Sequence, residues 1–215
     1  MKRIFDLAAV ILAAPLWLPV VAIVALAVRL KLGTPVFFRQ PRSGVRGVPF
    51  DVIKFRTMTE ACDETGQPLP DGLRLTSFGR WLRDTSLDEL PELWNVLLGQ
   101  MSLVGPRPLV ERYYTRYNPR QRKRLDVRPG LTGLAQIMGR NALSWDEKFE
   151  WDARYVATRT FWLDLKILLL TLKIVVLRDG ISAQGEATMP EFFPIPSGAE
   201  ACASAHKSGE GLASL

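Results

Sequence analysis

Between Ile4 and Val28 the chain carries one charge, Asp6, and two interior prolines, Pro15 and Pro19. As one straight helix this stretch would reach about 37 Å, enough to cross a hydrocarbon core of about 30 Å. The prolines oppose a straight helix. Neither ring nitrogen can donate, so the carbonyls of Ile11 and Pro15 lose their usual partners, at a cost of about 3 kcal/mol or more for each interior proline. The flanks constrain the path further. Lys2 and Arg3 precede the stretch, and Arg29 and Lys31 follow it. Positive charge marks the cytoplasmic side of a membrane segment. Two positive flanks favour both ends on that side, with the chain entering the bilayer, bending near Pro15 and returning. Backbone groups freed at such a bend must be met locally or buried against protein. A straight span and a cleaved signal peptide are the competing readings. Lys2-Arg3 would serve as a signal's basic start, but no convincing small-x-small cleavage site follows.

The remainder is organised by turn chemistry. Thr34 to Met58 reads as a β-hairpin or two extended pieces. Val36-Phe37-Phe38 and Phe50 to Phe55 are strand-like, and Ser43-Gly44-Val45-Arg46-Gly47 supplies the turn. Thr59 to Leu75 is polar and rich in glycine and proline, so a loop is expected. Thr76 or Ser77 can cap a short helix through Arg83. Ser86 can cap the next one, with Glu89 three residues on as a capping-box partner, although Pro91 disturbs that geometry. Gly99 ends it. Ser144 and Glu147 form another capping box for a helix starting at Trp145. Phe161 to Leu177 is a second apolar helix, with Asp164, Lys166 and Lys173 its only charges. It is too short and too polar to span, and suits the membrane interface or a hydrophobic core. From about Gly180 the composition turns to glycine, serine, alanine and proline, as in a disordered tail.

The chemistry available is limited by what is scarce. The single histidine, His206, lies in the polar tail, and Cys62 and Cys202 show no metal-ligand spacing. Imidazole catalysis and zinc sites are therefore disfavoured. Adjacent carboxylates, Asp88 and Glu89, stand in Ser86-Leu87-Asp88-Glu89-Leu90-Pro91, with Arg80 and Arg83 before them and Gly105-Pro106-Arg107-Pro108 after. Carboxylates can act as nucleophiles or hold a hard cation, and arginine forks grip phosphoryl oxygens. The competing reading is structural: two acids merely favouring a helix N-terminus. No P-loop, dinucleotide fingerprint or nucleophile elbow is present.

The net charge of +6 admits nucleic acid, an anionic membrane surface or anionic small substrates as partners. The apolar N-terminus favours the last two, and no nucleic-acid-binding motif is found. Arg112 to Arg128 holds seven basic residues, Arg112, Arg116, Arg120, Arg122, Lys123, Arg124 and Arg128, against the acid Asp126. It reads as a solvated helical face or as a surface toward lipid headgroups.

These residues together resemble the bacterial sugar transferases, the monotopic phosphoglycosyl transferases. The resemblance rests on Lys2-Arg3-Ile4-Phe5-Asp6, Lys54-Phe55-Arg56-Thr57-Met58, Ser86 to Pro91, Asn95-Val96-Leu97, Met101 to Pro108, Arg128 to Gly133 and Gly139-Arg140-Asn141, in the family's order over about residues 1–188. The chain resembles the short members, which carry only the catalytic unit.

The resemblance implies transfer of a sugar 1-phosphate from a UDP-sugar to polyprenyl (undecaprenyl) phosphate, with release of UMP, at the cytoplasmic face of the bacterial inner membrane. It implies a Mg²⁺ cofactor, Asp88 as covalent nucleophile, Glu89 as Mg²⁺ ligand, and Arg83 and Arg107 as phosphate clamps, with Lys54 and Arg56 as further candidates. It implies a re-entrant helix broken at Pro15. The family often has a serine before that proline, where this chain has Ala14. The expected fold is α/β and helix-dominated: a re-entrant N-terminal membrane hairpin over residues 1–33, a catalytic domain over 34–188 with a small β-hairpin and interfacial amphipathic helices, and a tail over 189–215. Membrane lipids are expected partners and nucleic acid is not. A homodimer is left open. The competing enzymatic reading is a two-substrate, non-covalent transfer with Asp88 only a metal ligand, and the reading from another class is a membrane-anchored lipid-binding scaffold without catalysis.

Overall fold

The structure, a computed structural model, describes residues 1–139, 142–177 and 191–193. Arg140, Asn141 and the expected tail, apart from 191–193, lie outside the described residues. The chain is helix-dominated, with two small sheets.

The apolar N-terminus forms two helices, α1 (Lys2–Leu12) and α2 (Ala14–Leu32), divided at Ala13. Pro15 occupies the first turn of α2, where its missing N–H is tolerated, and Pro19 lies inside α2. The break frees carbonyls at the end of α1, and the Trp17 indole Nε1 donates to one of them, Val10 O, at 3.0 Å. Nineteen residues long, α2 is apolar enough to cross a membrane by length and composition. Ile11, Leu12, Leu16, Leu18 and Ile23 around the break are exposed.

Both ends of this segment are fastened to the rest of the chain. At the start, Lys2 Nζ meets Asp164 Oδ2 at 2.6 Å, and Ser102 Oγ donates to the buried Asp6 Oδ2 at 2.7 Å. Arg3 donates to the carbonyls of Val96 and Leu97. At the far end, Arg56 donates to the carbonyls of Leu32 and Thr34, closing the C-terminus of α2. Val24 and Val28 pack there with Phe55 and Leu82.

The hairpin is β1 (Phe37–Ser43) against β2 (Pro49–Phe55), antiparallel, from Phe37 opposite Phe55 to Ser43 opposite Pro49. Next come α3 (Asp71–Arg74), α4 (Ser77–Asp84) and α5 (Glu92–Leu97). The stretch 59–75 is thus not wholly a loop: it contains α3 and closes through a bridge between Met58 and Leu75. A second sheet escapes the pattern reading. β3 (Ser102–Val104) runs parallel to β4 (Gly130–Thr132). Gly130 is obligatory here, because a Cβ would come within 2.0 Å of Gly105 N.

Between these strands lie short 3₁₀ turns and α6 (Pro119–Arg122), not one continuous basic helix. Arg124 is buried on Asp152 and Arg120 pairs with Glu150. Arg112 and Arg116 hold Glu191. Then come α7 (Leu134–Met138), α8 (Trp145–Thr158), with the expected Ser144–Glu147 capping box, and α9 (Phe161–Leu177). The main core joins α1, β2, α5, β3, α8 and α9 through Val10, Val52, Val96, Val104, Tyr155 and Ile167.

Candidate functional site

The two carboxylates stand in a 3₁₀ turn, Leu87–Glu89, and not in the first turn of a capped helix. Ser86 takes a left-handed conformation, φ 56°, and its side chain makes no cap. The reason is Pro91. In a helix begun at Ser86 it would sit past the first turn and break the ladder. The chain instead makes one tight turn and starts α5 directly after the proline. Asn95, fully buried, fixes α5 against β2. Its Oδ1 accepts from Ile53 N at 3.1 Å, and its Nδ2 donates to Asp51 O at 2.7 Å. This clamp sets the acidic turn opposite Lys54.

Lys54 Nζ lies 2.6 Å from Glu89 Oε1 and 3.0 Å from Glu92 Oε1. Arg107, held between Pro106 and Pro108, grips Glu89 from the other side. Its Nη2 bonds Oε1, and its Nη1 reaches Oε2 at 3.3 Å. Prolines on both sides restrict that backbone, so the arginine is presented with little ordering cost. Its side chain remains 43% exposed, leaving donors open to a ligand. Arg83, near the end of α4, donates from Nε to Thr57 Oγ1 at 3.1 Å. The close approach of α4 to Thr57 needs Gly79, where a Cβ would fall 1.8 Å from Thr57 O.

The electrostatics separate the two acids. Burial, then the neighbouring Glu89, push Asp88 up to about 7, against the pull of Lys54, Arg107 and Arg83. Burial also acts against ionised Glu89, but Arg107 and Lys54 outweigh it and hold Glu89 well below the usual carboxylate range. Burial raises Glu92, and Glu89 adds to it. Lys54 is raised although burial opposes its charge, because Glu89 and Glu92 outweigh burial. One acid is thus firmly ionised and matched to cations. The other, 8% exposed, is a strongly basic carboxylate beside it. Among the described residues no hydrogen bond ends on the Asp88 carboxylate.

Of the residues singled out in the sequence, Asp88, Glu89, Lys54 and Arg107 converge, with Arg83 close enough to act on Asp88. Arg56 does not join them: it closes α2. Pro15 lies at the helix break. Pattern reading gave no role to Glu92, although three and four residues of spacing put it near both acids. It also gave none to Asn95, whose partners lie about 40 residues away.

No group of three or more His, Cys, Asp or Glu arranged as a metal cage occurs among the described residues. Mg²⁺ seldom needs one, since it commonly takes one or two carboxylates and completes its shell with water and substrate phosphates. Glu89 Oε2, bearing only the longer contact from Arg107, and the adjacent Asp88 are hard oxygen donors that fit such a shared ion.

The sequence profile of the bacterial sugar transferase family matches residues 1–178. The chain is 50% identical over 192 residues to a Bacillus subtilis (strain 168) protein named uncharacterized sugar transferase EpsL, covering 89% of this chain and 95% of that one. It is 40% identical over 190 residues to the UDP-glucose:undecaprenyl-phosphate glucose-1-phosphate transferase of Caulobacter vibrioides, covering 83% and 70%. It is 39% identical over 165 residues to the undecaprenyl-phosphate galactose phosphotransferase of Salmonella typhimurium (strain LT2), covering 69% of this chain and 35% of that one. With a profile match over most of its length and relatives this similar, the chain belongs to the bacterial sugar transferase family.

Proposed function

We propose that this chain moves a sugar 1-phosphate from a UDP-sugar to undecaprenyl phosphate and releases UMP, through a covalent intermediate on Asp88. The observation that carries the reading is the division of labour in the acidic pair: Glu89 neutralised by Lys54 and Arg107, Asp88 basic and hidden beside it.

A diphosphate repels a carboxylate, so cations must offset its charge first. Arg107 and Arg83 supply forks for the phosphoryl oxygens, and Lys54 fixes Glu89 in place. Glu89, with Asp88 beside it, would hold Mg²⁺, which when bound neutralises phosphate charge and polarises a phosphoryl oxygen. The Asp88 carboxylate attacks the β-phosphorus. The bond from that phosphorus to the oxygen bridging to the α-phosphorus breaks, and UMP leaves with the electron pair. The aspartyl-phosphosugar is a mixed anhydride and keeps its transfer potential. A phosphate oxygen of undecaprenyl phosphate then attacks the same phosphorus, and the Asp88 carboxylate is restored. Such a two-step course gives ping-pong kinetics.

The membrane reading is re-entrant and monotopic, on the cytoplasmic face of a bacterial inner membrane. Its support is that α1 and α2 are fastened at both ends to one body, by Lys2, Arg3 and Asp6 at the start and by Arg56 at the finish, while the apolar residues around Ala13 face outward. Exposed Trp81, Trp94 and Trp162 suit the headgroup layer. Residues 1–33 are then the membrane unit and the chain from 34 onward the interfacial catalytic unit.

Release of UMP from a panel of UDP-sugars, with and without undecaprenyl phosphate, tests the reaction. Glucose and galactose donors come first, after the relatives' names. No UMP from any donor, with folded protein in native-like lipid, would overturn the reading and favour a lipid-binding scaffold.

A further inference from the structure

Arg42 stands half-buried on β1, and among the described residues no carboxylate lies within ion-pair distance of it. Among the described residues its guanidinium makes one hydrogen bond, Nη2 to Gln40 Oε1 at 2.6 Å, and no ion pair. The hairpin register says which way it faces. Arg42 lies opposite Phe50, Gln40 opposite Val52 and Phe38 opposite Lys54, so Arg42 and Lys54 share one face. Lys54 uses that face to meet Glu89 and Glu92. Arg42 therefore stands on the same side of the hairpin as the acidic pair.

Its backbone also bridges to Val110, and the next residue, Ser43, donates to Leu109 O at 3.0 Å. This seats Arg42 beside the loop that carries Arg107. A third cation approaches from α8. Lys148 is half-buried over the Trp145 ring at 5.4 Å, one turn before Asp152. Asp152 accepts from Arg124 at 3.0 and 2.8 Å, and Arg124 Nη2 donates to Arg107 O at 2.7 Å. Arg42 thus stands on one flank of this loop, and α8, which carries Lys148, is tied to the loop through Asp152 and Arg124.

The electrostatics agree with the geometry. Burial, then Arg107, lower Arg42 to about 10. Burial, then Arg107, lower Lys148 to about 8, against the pull of Asp152. Gathering like charges partly out of water costs stability. A bound anion reverses that cost. Glu89 answers Arg107, but no carboxylate among the described residues pairs with Arg42. Arg107 is the charge that acts on it most strongly, ahead of Glu92 and Glu89, so an anion held there sits beside the attacked phosphate, not on it.

We propose that Arg42, Arg107 and Lys148 form a second phosphoryl subsite, next to the acidic pair, that holds the phosphate flanking the one transferred. This rests on the two-substrate reading above. The flanking phosphate is either the α-phosphate of the nucleotide or the phosphate of the polyprenyl acceptor.

Equilibrium binding separates these sources without turnover. UMP and a short-chain polyprenyl phosphate are titrated onto the full chain in lipid nanodiscs, for wild type, Arg42→Gln, Arg42→Lys and Lys148→Gln. Loss of a charge-assisted hydrogen bond predicts about ten- to a hundredfold weaker binding of one ligand in Arg42→Gln, with partial recovery in Arg42→Lys. Weakened UMP assigns the subsite to the nucleotide, and weakened lipid assigns it to the acceptor. Melting temperatures are read alongside. The subsite requires Arg42→Gln to melt at or above wild type, since an unpaired half-buried charge is removed. Binding of both ligands within twofold of wild type overturns the subsite, as does a fall in binding that merely tracks a lower melting temperature. Wild-type protein that releases UMP from donor but whose variants bind normally overturns the subsite alone. Wild-type protein that neither binds these phosphates nor releases UMP overturns the reaction itself.

Discussion

Replacing Asp88 with asparagine removes the proposed nucleophile and a buried carboxylate together, and the site gives those two losses opposite consequences. Asp88 is 8% exposed, and burial with Glu89 lifts it from an ordinary value near 3.8 to about 7. In the unfolded chain it ionises above about 4, but in the folded chain only above about 7. The folded state then binds the extra proton across that window, so stability is full at the acid end, falls as pH rises through it and levels off above 7. At ~1.4 kcal/mol per pH unit the whole gap corresponds to about 4 kcal/mol. Glu89 supplies part of that shift, so this is an upper bound for one residue. Asparagine has nearly the same shape and no charge to bury. Asp88→Asn is therefore expected to be more stable than wild type by about 1–4 kcal/mol at pH 8, and nearly equal to it at pH 4. For a chain of this size each kcal/mol moves the melting temperature by about 2–4 °C. The assay is thermal melting in one detergent at both pH values, with chelator and no substrate, alongside UMP release from a UDP-sugar. The expected result is a higher melting temperature at pH 8 and activity lost by about a thousandfold or more. A variant that melts lower than wild type at pH 8, or that retains substantial turnover, would refute the reasoning.

Arg107→Lys keeps the charge but not the planar fork, and should lose about ten- to a hundredfold in rate, with expression and detergent stability near wild type. A rate within twofold of wild type would return Arg107 to a structural role. Single cysteines at positions 2 and 33 should label from the same side of intact cells. Replacing Pro15 with leucine should shift part of the population to opposite-side labelling, as expected of a straightened helix. Arg124→Met leaves Asp152 buried without its partner and should cost about 3–5 kcal/mol, while Arg124→Met with Asp152→Leu should recover most of that in denaturant melts. A double variant no better than the single would show that the pair stabilises in its own right.

The acidic pair was readable in the sequence because its neighbours are local: Arg83, Pro91 and the Gly105-to-Pro108 turn stand within 20 residues of it. Its backbone was not readable. A Ser-x-x-Glu spacing normally announces a capping box, but Pro91 forces the chain to turn at Ser86 and begin α5 afterwards. The capping box at Ser144 formed because no proline opposes it, and α9 runs over the apolar stretch that marks it. The parallel pair β3–β4 is three residues per strand, too short for any periodicity to register. Arg124 is the sharpest difference. In sequence it is one cation in a basic run. In the structure it is buried on Asp152, 28 positions away, and supports the Arg107 backbone. Long-range ion pairs leave no local signal, so the run reads in sequence as a solvated face or one toward lipid headgroups. Ala14, which leaves the break without a serine hydroxyl, is answered by Trp17 Nε1 on Val10 O, a contact seen only once the helices are placed.

A covalent bond between the sugar phosphate and the Asp88 carboxylate can be trapped. Wild-type protein is incubated with a UDP-sugar labelled in the sugar and no acceptor, quenched in acid, digested and mapped by mass spectrometry. The expected result is UMP release stoichiometric with enzyme, a sugar-phosphate mass on the peptide holding Asp88, discharge on adding undecaprenyl phosphate, and no adduct in Asp88→Asn. Steady turnover to lipid-linked product without any adduct, or an adduct on a residue other than Asp88, would contradict it.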